Sequence, residues 1–70
     1  MAATVGSRVR RLRRSLKLTQ ERLAELVGVR TNTIYRLEAD LIARPTPSNL
    51  NALASALETT PAKLLGKRSR

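Results

Sequence analysis

Seventy residues with no cysteine and no histidine carry a formal charge of +9, from 14 Lys+Arg against 5 Asp+Glu. This composition excludes a disulfide framework and a thiolate metal site, and it removes the commonest metal ligand and the commonest general base. A domain this basic calls for a polyanion as partner, and no apolar run approaches the roughly 20 residues of a membrane span.

A chain of this length buries only about 60% of the surface its unfolded form exposes, so one domain with an economical core is expected. With one aromatic residue and 41% apolar residues, that core must be built from leucine, valine, isoleucine and alanine. No long apolar stretch follows the first charges, so no signal peptide is expected, and the expected location is the cytoplasm, on the nucleoid.

The first three residues are expected to fray, and Thr4 or Ser7 suits a helix cap. Val5, Val9, Leu12 and Leu16 follow at intervals of four, three and four, the spacing of one buried helical face. Residues 8–17 hold six basic side chains (Arg8, Arg10, Arg11, Arg13, Arg14 and Lys17) and no acid. Some belong to a solvated face; as a set they repel one another, and an acidic partner accounts better for the cluster.

Lys17–Leu18 reads as a connector and Thr19 as the cap of a second helix, without the Glu or Gln that would complete a capping box. Gln20 to Ala39 then reads as two short helices joined at a tight corner. The first has Leu23, Val27 and, less clearly, Leu26 as apolar positions, and Ala24 supplies the small side chain that a close, steep crossing needs. Gly28 breaks the periodicity and adopts positive φ without strain, Val29 plugs the corner, and Ile34 and Leu37 form the inner face of the second helix. That ordered spacing is a helix-turn-helix.

The polar face of the second helix decides the use of the unit. Thr31, Asn32 and Arg36 suit hydrogen bonding to base edges, asparagine for adenine and arginine for guanine. Gln20, beside the free N–H groups of a helix N-terminus, is either a phosphate clamp or a plain helix former. Arg30 stands where a cap would be best, with Thr31 expected to cap one residue later; Arg30 then meets DNA or water. Tyr35 is either a partly packed surface ring or a phosphate contact. Glu38 and Asp40 bring negative charge to the helix end where the dipole disfavours it, so Glu38 is expected to pair with Arg13.

Leu41 to Pro45 reads as a loop. Thr46-Pro47 starts a helix with Leu50, Leu53, Ala54 and Leu57 as its buried stripe, and Thr60-Pro61 starts a short one over Ala62 to Leu65, ended by Gly66. The tail Lys67-Arg68-Ser69-Arg70 is expected to be disordered.

With these elements placed, the chain resembles the lambdoid phage repressor and Cro family of small DNA-binding domains, also called XRE-type. The resemblance runs from about Ser7 to Gly66 and rests on Leu18-Thr19-Gln20, Leu23-Ala24, Val27-Gly28-Val29, Ile34, Leu37-Glu38, Arg44-Pro45, Leu53-Ala54-Ser55-Ala56-Leu57 and Leu64-Leu65-Gly66. It implies an all-α, compact five-helix lambda-repressor-like domain whose second motif helix enters the major groove. Thr31, Asn32 and Arg36 then read bases, with Arg30 and Thr33 nearby. Gln20 binds a phosphate and braces the recognition helix, Arg13 and Glu38 form a buried pair, and Arg44 lies close to the backbone. Asp40 departs from the family, which commonly has glycine there, so the loop is expected to run differently.

The leading function is therefore sequence-specific binding of double-stranded DNA by a transcriptional regulator, a repressor by analogy, on a two-fold operator. Phosphate contacts are expected from Gln20, Thr19, Tyr35, Arg11, Arg13 and Arg44 and should make binding steeply salt-dependent. A homodimer, at least on DNA, would meet through Leu41 and Ile42 with Glu58 and Pro61, unless the two apolar residues fold into the core. No second domain for dimerisation or sensing is expected. The alternative is a protein-binding module, such as an antitoxin-like component of a complex. No enzyme activity, cofactor, metal, small-molecule ligand or membrane association is implied.

Overall fold

Each helix of the computed structural model, which describes residues 3–42 and 44–66, starts and stops on signals carried by its own residues. The elements are α1 (Val5–Ser15), α2 (Gln20–Val27), α3 (Thr31–Glu38), α4 (Pro47–Ala56) and α5 (Pro61–Leu64). Four of the five open on threonine: the hydroxyls of Thr4, Thr19, Thr46 and Thr60 accept from the backbone N–H groups of Ser7, Arg22, Asn49 and Lys63. Each satisfies a donor that the helix itself leaves unpaired. At α1 the two expected caps act together, because Ser7 also accepts from the Thr4 N–H at 2.9 Å. Only α3 opens without such a side chain; Arg30 is its cap residue and Thr31 is already its first helical residue, so the expected Thr31 cap does not form.

The helix ends share one device. After α1, α3 and α4 the chain turns through a single left-handed residue, Lys17 (φ 59°), Asp40 (φ 62°) and Glu58 (φ 59°). The residue after each donates back across the last turn: Leu18 to Arg13, Leu41 to Arg36 and Thr59 to Ala54. These are Schellman closures, normally made with glycine because a Cβ is strained at positive φ. Glycine does occupy the corresponding places after α2 and α5, at Gly28 (φ 84°) and Gly66 (φ 78°). Asp40 therefore keeps the loop on the course that glycine would give, rather than diverting it.

The five helices enclose one core. Val9, Leu23, Ala24, Ile34, Leu37, Leu50, Leu53, Ala54, Leu57 and Leu64 are buried. Helix α2 packs on α3 and α4, α1 on α3 and α5, and α4 on α5, so the helix-turn-helix is supported from both sides. Leu16 only closes α1 and Leu65 only closes α5, one residue short of the expected limits. Leu26 is 46% exposed and lies outside the buried stripe of α2, while Ile42 packs against the core. The expected frayed start and disordered tail fall largely (Met1, Ala2) and wholly (67–70) outside the described residues.

Gly6 has a role that helical periodicity does not announce. A Cβ there would lie 2.1 Å from the Leu37 carbonyl oxygen and 2.7 Å from the Asp40 carboxylate, so its absence lets α1 touch the end of α3. Urea unfolding should show Gly6→Ala losing about 2–3 kcal/mol through forced separation of the two helices. Glu58→Gly should instead gain about 0.5–1 kcal/mol, since relief of left-handed strain exceeds the entropy cost of glycine. A stable Gly6→Ala variant would contradict the close approach of the two helices.

Candidate nucleic-acid interface

Helix α3 is held from its inner face and from its C-terminal end. Ile34 and Leu37 are 1% and 2% exposed, anchoring the inner face. Glu38, at the last turn, meets Arg13 from α1 in a two-pronged pair: Arg13 Nε to Glu38 Oε2 at 2.6 Å and Nη2 to Oε1 at 3.0 Å. The remaining terminal nitrogen of Arg13 donates to the Leu18 carbonyl at 2.7 Å, and Gln20 Nε2 donates to Glu38 Oε1 at 3.2 Å. The side chains of the pair are only 12% and 4% exposed. Four segments thus meet at one ion pair: α1, the α1–α2 connector, the head of α2 and the end of α3.

The Glu38 carboxylate raises the pKa of Arg13, first by hydrogen bonding and then by charge attraction, against the lowering effect of burial. The raised value means that this stabilisation is fully present below the ordinary arginine range and is lost only as pH climbs through the higher folded value. Arg13 is nearly enclosed and engages both Glu38 and the Leu18 carbonyl, so it ties α1 to the end of α3.

The outer face of α3 is polar. At 100° per residue, Asn32 and Arg36 point opposite the Ile34–Leu37 face, with Tyr35 and Thr31 to one side. All four are exposed, as is Arg30 before the helix. Thr33 is half-buried and turns toward the following loop, where it lines a cavity of about 160 Å³ with Ile42, Arg44 and Asn49. Because no side chain caps α3, the Thr31 and Asn32 N–H groups remain open to a partner with acceptor atoms, while that of Thr33 donates to the Arg30 carbonyl at 2.9 Å.

The surroundings of this face are basic. Arg10 of α1 lines a groove with Gln20 and Tyr35, which runs between the head of α2 and the C-terminal half of α3. Arg11 and Arg44 are exposed. Thr19 uses an oxygen lone pair to cap α2, which leaves its hydroxyl hydrogen free to donate. Gln20 likewise spends one amide hydrogen on Glu38 and keeps one. Two features escaped the sequence reading: Arg10 as a wall of this groove, and Arg8, whose guanidinium donates to the Leu64 carbonyl at 3.3 Å and ties α1 to α5. The fourfold spacing of Arg10 and Arg14 on an otherwise amphipathic helix was the signal available for the first.

A family model described as helix-turn-helix matches residues 9–64. The chain belongs to the helix-turn-helix family. The P22 c2 repressor, solved in complex with synthetic operator 9T, superposes with a TM-score of 0.89 at 34% identity, covering 96% of this chain and 100% of that one. The restriction-modification controller protein C.AhdI from Aeromonas hydrophila superposes with a TM-score of 0.80 at 33% identity, covering 87% and 91%. The N-terminal DNA-binding domain of SinR from Bacillus subtilis shares the fold, with a TM-score of 0.85 at 23% identity, covering 94% and 96%. No curated protein matches the chain. Helices α2 and α3 form the helix-turn-helix within the matched residues; no described helix is long and apolar enough to cross a membrane.

Breaking one side of the Arg13–Glu38 pair strands a nearly buried charge. Arg13→Ala and Glu38→Ala should each lose about 3 kcal/mol in denaturant unfolding. The double variant should lose less than the sum, with a coupling on the order of 1 kcal/mol or more. A coupling near zero would show that the pair does not hold α3.

Proposed function

We propose that this helix-turn-helix protein binds double-stranded DNA through the major groove and regulates transcription, as a repressor, from a two-fold operator. The observation that carries the reading is the outer face of α3: exposed Asn32 and Arg36 opposite a buried Ile34–Leu37 face, on a helix whose N-terminus no side chain closes. Identity of 34% across 96% of the chain with a repressor solved on its operator supports the same use of the motif here.

In this reading Thr31, Asn32 and Arg36 contact base edges, with Arg30 and Thr33 at the margins of the helix. Asparagine offers a donor and an acceptor to adenine, and arginine a two-pronged donor to guanine. Backbone phosphates are taken by the Thr19 hydroxyl, the free amide hydrogen of Gln20, the Tyr35 hydroxyl, Arg11 and Arg44. These contacts set orientation and supply much of the affinity, while the base contacts set sequence. Two copies face each other across the operator. Leu41, 68% exposed, is the apolar side chain that remains for a second copy once Ile42 packs inward, with Glu58 and Pro61 beside it. A DNA partner of this kind places the protein on the nucleoid in the cytoplasm.

Selection of bound duplexes from a random library should return a palindrome with half-sites about one helical turn apart. Asn32→Ala should relax the preference at one position of each half-site by about 1–3 kcal/mol and leave the other positions unchanged. A consensus that is identical for the wild type, Asn32→Ala and Arg36→Ala would rule out these residues as the readers.

A further inference from the structure

The five arginines of α1 have the same chemistry in sequence, and the fold separates them. Arg8 is turned back to the Leu64 carbonyl of α5, and Arg13 is committed to Glu38. Arg10, Arg11 and Arg14 are exposed and form no ion pair among the described residues. Together with Ser7 they line one open depression beside the end of α3, whose opposite wall is Glu38 and Asp40.

The charge of this depression follows from its lining. Glu38 is already matched by Arg13, so Asp40 alone opposes the three guanidinium groups, and three minus one leaves two positive charges unmatched. Asp40 is also constrained, at φ 62° with its carboxylate against Gly6. Arg10 borders the neighbouring groove of Gln20 and Tyr35 as well, so the basic surface continues without a break from the head of α2 round to α1. The other flank of α3 is different. Residues 41–46, with Asp40 on the α1 side, carry a single cation, Arg44, so that side has one positive charge against two.

A duplex lying along α3 presents one phosphate backbone to each flank, and the α1 flank carries the larger excess of positive charge. We propose that Arg10 and Arg14, with Arg11 beside them, bind phosphates of the DNA strand on the α1 side, a second backbone contact beyond the head of α2. The proposal rests on the DNA-binding reading above. Arg10 and Arg14 stand one helical turn apart on the same face, so their planar forks are placed to take successive phosphate groups. In the free protein the three like charges repel one another, and a phosphate backbone relieves that repulsion.

The test measures binding of a library-selected duplex by fluorescence anisotropy between about 50 and 200 mM salt. The R10Q/R14Q variant should bind roughly tenfold more weakly at low salt, and its log–log salt slope should fall by roughly one to two units, about one for each phosphate no longer engaged. Its selected consensus should match that of the wild type, and its melting temperature should be unchanged or higher. R10K/R14K should keep most of the slope, and K63Q on α5 should behave as wild type. Wild-type affinity and slope in a folded R10Q/R14Q variant, with the wild type binding a consensus, would overturn this inference alone. A wild type that binds no duplex would overturn both it and the DNA-binding reading.

Discussion

The buried Arg13–Glu38 pair is the constraint on which the working surface depends. An acid at the last turn of α3 is disfavoured by the helix dipole and, at 4% side-chain exposure, also by loss of water. Both costs are offset only because the two carboxylate oxygens together accept from Arg13 twice and from Gln20 once. The arrangement is satisfied in one geometry, which joins α1, the head of α2 and the end of α3 into a fixed frame. An apolar contact of similar volume would hold α3 as firmly, yet it would leave the helix freer to slide along its axis. In the proposed reading, where α3 presents Asn32 and Arg36 to base edges at a set height, position matters more than net stabilisation.

Around that frame the polar residues divide cleanly by task. Threonines close four helix starts and leave the fifth open, and the open one is α3. Left-handed residues close the helix ends, with Lys17, Asp40 and Glu58 accepting strain in positions where glycine would cost less. Arginines fasten α1 to α5 and to α3 through Arg8 and Arg13, and the remaining ones on α1 stay exposed on its outer face. The core is left to small aliphatic groups, as a chain with one aromatic residue requires.

How much of this was legible in the sequence depended on whether the cause was local. Threonine before proline announces α4 and α5, and the Ala24–Gly28–Ile34 spacing announces the motif, because each residue type answers a backbone demand at its own position. Arg13–Glu38 was legible across 25 positions, since a carboxylate at a helix C-terminus requires a cation and α1 was rich in them. Gly6 was not legible: its need arises from the Leu37 carbonyl, which only the tertiary approach brings near. Nor were the left-handed Lys17 and Glu58, whose residue types give no sign of the turn they make. Leu26 and Ile42 exchanged roles for a similar reason. The stripe of α2 is too narrow to bury Leu26, whereas the loop folds Ile42 onto the core.

The most direct test of the account is where DNA touches the protein. Backbone amide shifts recorded by nuclear magnetic resonance, with and without a bound duplex, would locate that surface residue by residue. The account predicts the largest changes from Arg30 to Arg36, including the uncapped amides of Thr31 and Asn32, with a second set at Thr19 and Gln20 and little change on α5. Changes concentrated on α4 and α5 with α3 unaffected would contradict it, because the face held by Arg13 and Glu38 would then not be the face that meets DNA.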